Sequence, residues 1–479
     1  MVSITASRIL AVVPSLTPVG AGKVRVTDAN GKKELDVTIV PRNFGIFSQK
    51  GAAGGAGAAF AMNLSDGGNV WNSLTTPATP GQQIAILGSG AGATTQDETN
   101  AMNAETLSGD FQLYIGGQLA SIVSTGRSGM GIDGLTLPSG LAGIDSIVAM
   151  VPAGVSGCRV SVVAISDSAR VSNYATLSIS ADGSTCSDPG YFSSDDINAL
   201  PVSGSFSLGT ISMSRFSFSF AAPPPLGNLD LSMDNASATF ERVDISDYKS
   251  SGGGSYLSMG SCIVTSTSPD GSDFDNAVVP TPLDAGAAIN LKGPKGTTVM
   301  KQAASGGYAA VSATGSSSPF FPPQGTPFVE AGAFTADNGA GGADVKSFTA
   351  NLNNPKPFTW TNQAQITDVT RSQGVNVTWT GGASDSIVII AGGSLGSSQT
   401  TASFTCAAPA SAGSFQVPPA VTLALPPTAS TGPSTALGLP SGGGTLLLLT
   451  STYSLFTAPG LDRGVFSSSG GSLKAVNYK

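Results

Sequence analysis

The residues that could do chemistry in this 479-residue chain are few, and one type is missing outright: there is no histidine. That removes Ser-His-Asp and Cys-His catalysis, histidine-ligated haem and histidine-containing zinc sites. Any reaction would have to rest on Asp, Glu, Lys, Tyr, Ser or Cys. Asp270, Asp273 and Asp275, with Asn276, place oxygen ligands at short spacing in DGSDFDNA, as a calcium ion would want. The stretch lacks the EF-hand pattern and its terminal Glu. A solvated turn is the ordinary reading and a structural calcium the sharper one; no other cofactor is suggested. Glu241 beside Arg242, and Asp244 with Asp247, could look like glycosidase carboxylates. Those need a separation of about 5–10 Å in a cleft, with aromatics for the sugar. Asp195-Asp196, after Ser193-Ser194, reads as a turn rather than a catalytic pair.

The chain has three Trp, namely Trp71, Trp360 and Trp379. Trp360 and Trp379 sit in strand-like runs and read as core; the competing reading is an exposed carbohydrate-stacking face. The Gly-rich stretches 51–58 and 251–261 are not phosphate loops, because no G-K-[ST] follows. Asn63, Asn235 and Asn376 match the glycosylation sequon, for which a chance match is the default reading.

Four cysteines are present, Cys158, Cys186, Cys262 and Cys406, and none forms a CxxC pair. An even count in a Gly/Ser/Thr-rich chain favours disulfides and an oxidising compartment. Three pairings are open, and four free thiols are the bland alternative. Cys158–Cys186 is preferred, since it closes a loop of about 27 residues worth roughly 3 kcal/mol in the chain-entropy model. Cys262–Cys406 then follows by elimination.

The elements that must position these residues are strands. Only 11% of residues are charged, and Gly (62) and Pro (30) help fill the gap, against about a quarter charged in ordinary domains. No stretch sustains a helical apolar period, so no long helix is expected. Short Val/Ile/Thr/aromatic runs between turn clusters predict an all-β chain of several Ig-like or jelly-roll-type β-sandwich domains in tandem. Expected boundaries are 1–41, a partial Ig-like segment; 42–186, a complete Ig-like sandwich; 187–280, a sandwich; and 281–479, a C-terminal sandwich that could form one unit with 187–280. Hairpins are expected over KVRVTD (23–28) and ELDVTIV (34–40), with a loop longer than two residues; across Gly116-Gly117; and over 293–296. VTLALP (421–426) reads as a strand. SSSGGSLKAVNYK (467–479) reads as a Gly/Ser hinge followed by a short alternating segment.

The net charge is −8 with no Lys/Arg cluster, so the footprint of a nucleic-acid binder is missing. The aliphatic run Leu446–Leu449 is far short of the roughly 20 residues of a membrane helix. MVSITASRILAVVP is not a signal peptide as written; if the protein is secreted, its signal was removed or lies upstream.

Residues 42–181 carry, in order, Phe44-Gly45-Ile46-Phe47, then Asn63, Asp66 and Gly67, then Pro77-Ala78-Thr79-Pro80-Gly81. Ile84 to Gly90, the Ile115-Gly116-Gly117 hairpin, VPAGVSGC (151–158), VSVV (160–163) and Ser172-Asn173 follow. The stretch resembles a β-sandwich family of large secreted soil-bacterial proteins, the Solibacter-type uncharacterised C-terminal domain. LAVVPSLTPVGAGKVRVTDANG (10–31) looks like the end of a TIG-type Ig-like domain. Arg42-Asn43 departs from the family's proline at the entry turn. The resemblance covers residues 1–190 and implies a fold class, a secreted compartment and a start that can fall within a longer product. It implies no activity.

The expectation is therefore an extracellular or cell-surface structural or adhesive protein, not an enzyme. Its partners would be copies of itself or a surface polysaccharide, without nucleic acid or a membrane span. A sandwich lacking strands in 1–41 exposes edges that another chain could complete, and the 467–479 tail could be a donor strand for a filament. A carbohydrate-binding module and a His-free hydrolase are the alternatives.

Overall fold

The structure is a computed structural model. It describes residues 3–4, 9–29, 31–49, 57–65, 68–95, 105–107, 109–127, 143–167, 170–188, 193–201, 203–221, 228–245, 256–267, 280–315, 325–355, 358–383, 386–396, 401–428 and 443–479. Strand accounts for 57% of the chain and helix for 5%, which makes it all-β. The Asp270, Asp273 and Asp275 cluster and Asp247 lie outside the described residues.

Residues 20–39 form a ribbon of two strands, Gly20–Asp28 and Gly31–Ile39. Asp28 pairs with Gly31, so the loop is two residues, shorter than the strand-like runs at 23–28 and 34–40 suggest. Gly31 takes a φ of 131°, which a residue with a Cβ would resist.

Residues 45–179 build a sandwich of two sheets. One contains Gln83–Ser89 and Asp145–Met150; the other contains Phe111–Ile115, Gly157–Ser166 and Ala175–Ile179. Their facing side chains, among them Ile84, Ile86, Leu113, Ile147, Val162 and Leu177, are essentially dry. Gly116 and Gly117, at φ 59° and 74°, turn the expected two-residue hairpin.

The remaining chain is dominated by one 14-stranded sheet. Strands from both 187–280 and 281–479 enter it: Ser205–Ala221 pairs antiparallel with Asn228–Asp244 and parallel with Arg463–Tyr478. One end of the sheet packs on a small sheet that contains Val375–Thr380, enclosing Trp379, Val388, Ile390, Phe404 and Leu448. The other end encloses Ile211, Phe240, Ile289, Phe334, Phe456 and Phe466. The first of these cores also takes in Val163, Ile165 and Tyr174 from the preceding sandwich, so the bodies are packed together through apolar contact.

Two further expectations are corrected. Residues 467–479 are no hinge: Arg463–Tyr478 is a continuous strand flanked on both sides, and Tyr478 is buried with its hydroxyl donating to the Thr445 carbonyl at 2.9 Å. The alternation of small and larger residues outweighs the glycines once two neighbours supply the ladder. The run at 421–426 is not a strand, because Pro419–Leu423 is a single helical turn. Pro418 and Pro419 preset φ at the helix start, and the Thr422 hydroxyl donates to the Arg371 carbonyl at 2.6 Å.

Candidate functional site

Both disulfides form, Cys158–Cys186 and Cys262–Cys406. Beside the first lies a buried polar joint. The Asp188 carboxylate accepts from the Cys158 amide at 2.8 Å and from the Ser258 hydroxyl at 3.0 Å. Ser258 in turn accepts from the Arg159 amide at 2.8 Å, and Ser261 accepts from the Ser161 amide at 3.0 Å. The segment 256–262 is thereby stitched to the strand Gly157–Ser166 before it enters the large sheet. Burial pushes the Asp188 carboxyl up to about 6, against the pull of its donors and the Arg159 charge. This joint is structural: its polar atoms face one another.

The carboxylates that the sequence brings forward are dispersed by the strand pleat. Glu241 and Asp244 lie three residues apart in Asn228–Asp244, on opposite faces of the strand, so they cannot flank one bond. Asp196 caps the helix Ser194–Asn198 from its N3 position and pairs with Arg463 at 3.0 Å. Trp360 and Trp379 are core, each with its indole N–H satisfied, by Asn362 at 2.9 Å and by the Ala410 carbonyl at 2.8 Å. Asn63 is 1% exposed and donates to the Thr76 carbonyl, so this sequon is closed to modification.

A polar cleft that sequence reasoning missed lies where the large sheet passes between its two cores. Gly444–Phe456 is apolar inward at both ends, through Leu446, Leu448 and Phe456, but carries Thr450 between them. Arg463–Tyr478 likewise runs from Phe466 through Ser468, Gly470 and Ser472 to Val476. The register lines up Asp234, Arg215, Gly470 and Thr450 as one row across four adjacent strands.

Asp234 is 2% exposed and holds this row. It takes two bonds from the Arg215 guanidinium, at 2.6 and 2.8 Å, and two more from the amides of Phe328 and Val329 at 2.7 and 2.9 Å. The pair with Asp234 raises the pKa of Arg215 further, keeping it charged. Arg215 also reaches Glu330 at 3.2 Å. Asn354 donates to the Glu330 carbonyl at 2.7 Å and accepts from Ser468 at 2.8 Å. Beside the row is a cleft of about 260 Å³ whose lining includes Val329, Pro355 and Phe358.

A larger cleft of about 390 Å³ beside Leu74 and Leu200 has no charged lining group among the described residues. Its Asn72 amide is spent on Asn63 and on both backbone groups of Ser178.

The N-terminal ribbon offers a surface of another kind. Val24 faces Leu35 across the pair and Gly22 faces Val37, with Val26 on the same side; Lys23–Asp36 and Arg25–Glu34 occupy the opposite side as ion pairs at 2.7 and 2.6 Å. The apolar side stays in water, with Val24, Val26 and Leu35 exposed by 50%, 43% and 68%. Among the described residues neither outer edge of the ribbon pairs with a further strand.

No family model matches this chain, and no curated relative matches it.

Proposed function

We propose that this chain is an extracellular structural or adhesive surface protein whose copies associate through the N-terminal ribbon. The observation that carries the reading is the ribbon's two-sidedness. A lone two-stranded hairpin is marginal in water, and this one leaves an aliphatic face uncovered while its charged face is already paired. Its occupant is the same face of a second copy, related by a two-fold axis, so that two ribbons make a four-stranded, two-layer unit.

Val13, Leu16 and Val19 precede the ribbon and are exposed by 60%, 94% and 64%. On the ribbon face itself Val24, Val26 and Leu35 offer on the order of 300 Å² of aliphatic surface, taking roughly 60–120 Å² per side chain. The open edges bring this toward the roughly 800 Å² per partner of a standard interface. Two disulfides fit a non-cytoplasmic setting, as does the resemblance of residues 1–190 to a secreted sandwich family. The 467–479 tail is not put forward as a donor strand, since it completes its own sheet.

The test is the mass of the unreduced protein by light scattering, beside the double variant Val24→Asp/Leu35→Asp. A dimer that becomes a monomer in the variant supports the reading. A monomeric wild type, or a dimer indifferent to both changes, overturns it.

A further inference from the structure

The cleft over the Asp234–Arg215–Gly470–Thr450 row has the chemistry of a site for a small, neutral, many-hydroxyl ligand. We propose that it binds a single sugar ring, the terminal residue of a surface glycan. This does not rest on the ribbon or on the oligomeric state.

Charge selects first. One guanidinium, Arg215, faces two carboxylates, Asp234 and Glu330. Among the described lining residues the cleft therefore carries no surplus of positive charge. Asp234 is fully used inward, whereas the Glu330 side chain is 38% exposed and has acceptor capacity left. The Ser472 hydroxyl, on the same strand face as Gly470, and the Arg215 N–H groups add donors to the lining. The lining also includes the apolar Val329, Pro355 and Phe358. A lining that combines polar and apolar groups suits a pyranose, whose hydroxyls ring its edge and whose C–H groups form its faces. The volume, about 260 Å³, falls just under the roughly 300–1,000 Å³ of drug-sized pockets, which suits one ring and excludes a chain.

Two adjacent glycines distinguish this space from a packing remnant. A Cβ on Gly471 would meet the Leu448 carbonyl oxygen at 2.1 Å, so glycine there is required by the sheet. A Cβ on Gly470 would meet only the Arg215 carbonyl oxygen, at 3.7 Å, and Gly470 has no positive φ. Neither backbone nor packing demands glycine at 470. Its effect is to leave the floor of the cleft open.

The experiment is saturation-transfer NMR on the full unreduced chain with the methyl glycosides of glucose, galactose, mannose and N-acetylglucosamine, one at a time. At least one should give a saturable signal that is lost in Gly470→Leu, which fills the cleft while leaving the ladder intact. No signal with any glycoside, or a signal that survives in Gly470→Leu, overturns the proposal. If Gly470→Leu fails to fold by circular dichroism, Glu330→Ala decides: loss of the signal supports the site, and retention overturns it.

Discussion

Asp188 shows how one buried carboxyl sets a pH dependence. Its folded pKa of about 6 lies above the ordinary 3.8 because burial disfavours the charged form. The folded chain therefore holds this proton more tightly than the unfolded chain. The group favours folding most below about pH 4, and that contribution is lost as pH rises toward 6, up to about 3 kcal/mol in all. Urea midpoints measured from pH 4 to 7 should carry this falling component, and Asp188→Asn should flatten it; an unchanged slope would show that the joint is not linked to folding. Asp234 is held by four donors that converge on it. Asp234→Ala strands two buried amides and frees Arg215, whose side chain is 27% exposed and partly rehydrates. A loss of about 3 kcal/mol is expected, read as a lower denaturant midpoint at constant m-value. A loss under about 1 kcal/mol would mean that the 328–329 segment is held by something else.

At the scale of elements, the two disulfides do unequal work. Cys158–Cys186 spans 28 residues, and Cys262–Cys406 spans 144 while joining directly opposed residues of paired strands. Chain entropy assigns about 3.5 kcal/mol to the shorter loop and about 5 kcal/mol to the longer. Replacing Cys262 and Cys406 by Ser should lower Tm more than replacing Cys158 and Cys186. The reverse order would place the larger share in the Asp188 joint that borders the shorter loop. Much at this scale is readable from pattern. The Gly116-Gly117 hairpin, the strands near 83–89, 145–150, 157–166 and 387–395, and the 293–296 turn all follow from alternation and turn residues. The helical turn at 419–423 and the 463–478 strand are not, because local composition points elsewhere. Two prolines start a helix where the apolar run suggests a strand, and neighbours on both sides hold Gly470 and Gly471 extended.

For the whole molecule, the decisive feature is that cores cross the segment boundaries. Val163, Ile165 and Tyr174 of the first sandwich share a core with Trp379, Phe404 and Leu448, and the large sheet feeds two cores at once. Residues 42–479 should therefore unfold in one calorimetric transition; two resolved transitions would mean that the shared core is too weak to couple them. The ribbon lies outside those cores, so Val24→Asp/Leu35→Asp should change the mass in solution and leave this transition in place.

The sequence by itself determined the β character, through scarce charge and period-2 runs. It also excluded histidine chemistry and favoured the pairing of the cysteines. The Arg215–Asp234 pair was legible in principle, since the two residues stand at nearly equal distances in sequence from the Pro223-Pro224-Pro225 run. What only the tertiary structure decided is which strands become neighbours across hundreds of residues. The 463–478 strand lies beside 205–221 by a pairing that no local turn encodes, and the polar row and its cleft exist only because of that register. The same step separated Glu241 from Asp244 by strand parity and buried both Trp360 and Trp379. Local propensity follows from neighbours in sequence, whereas a site is made by neighbours in space, and long-range strand pairing supplies those.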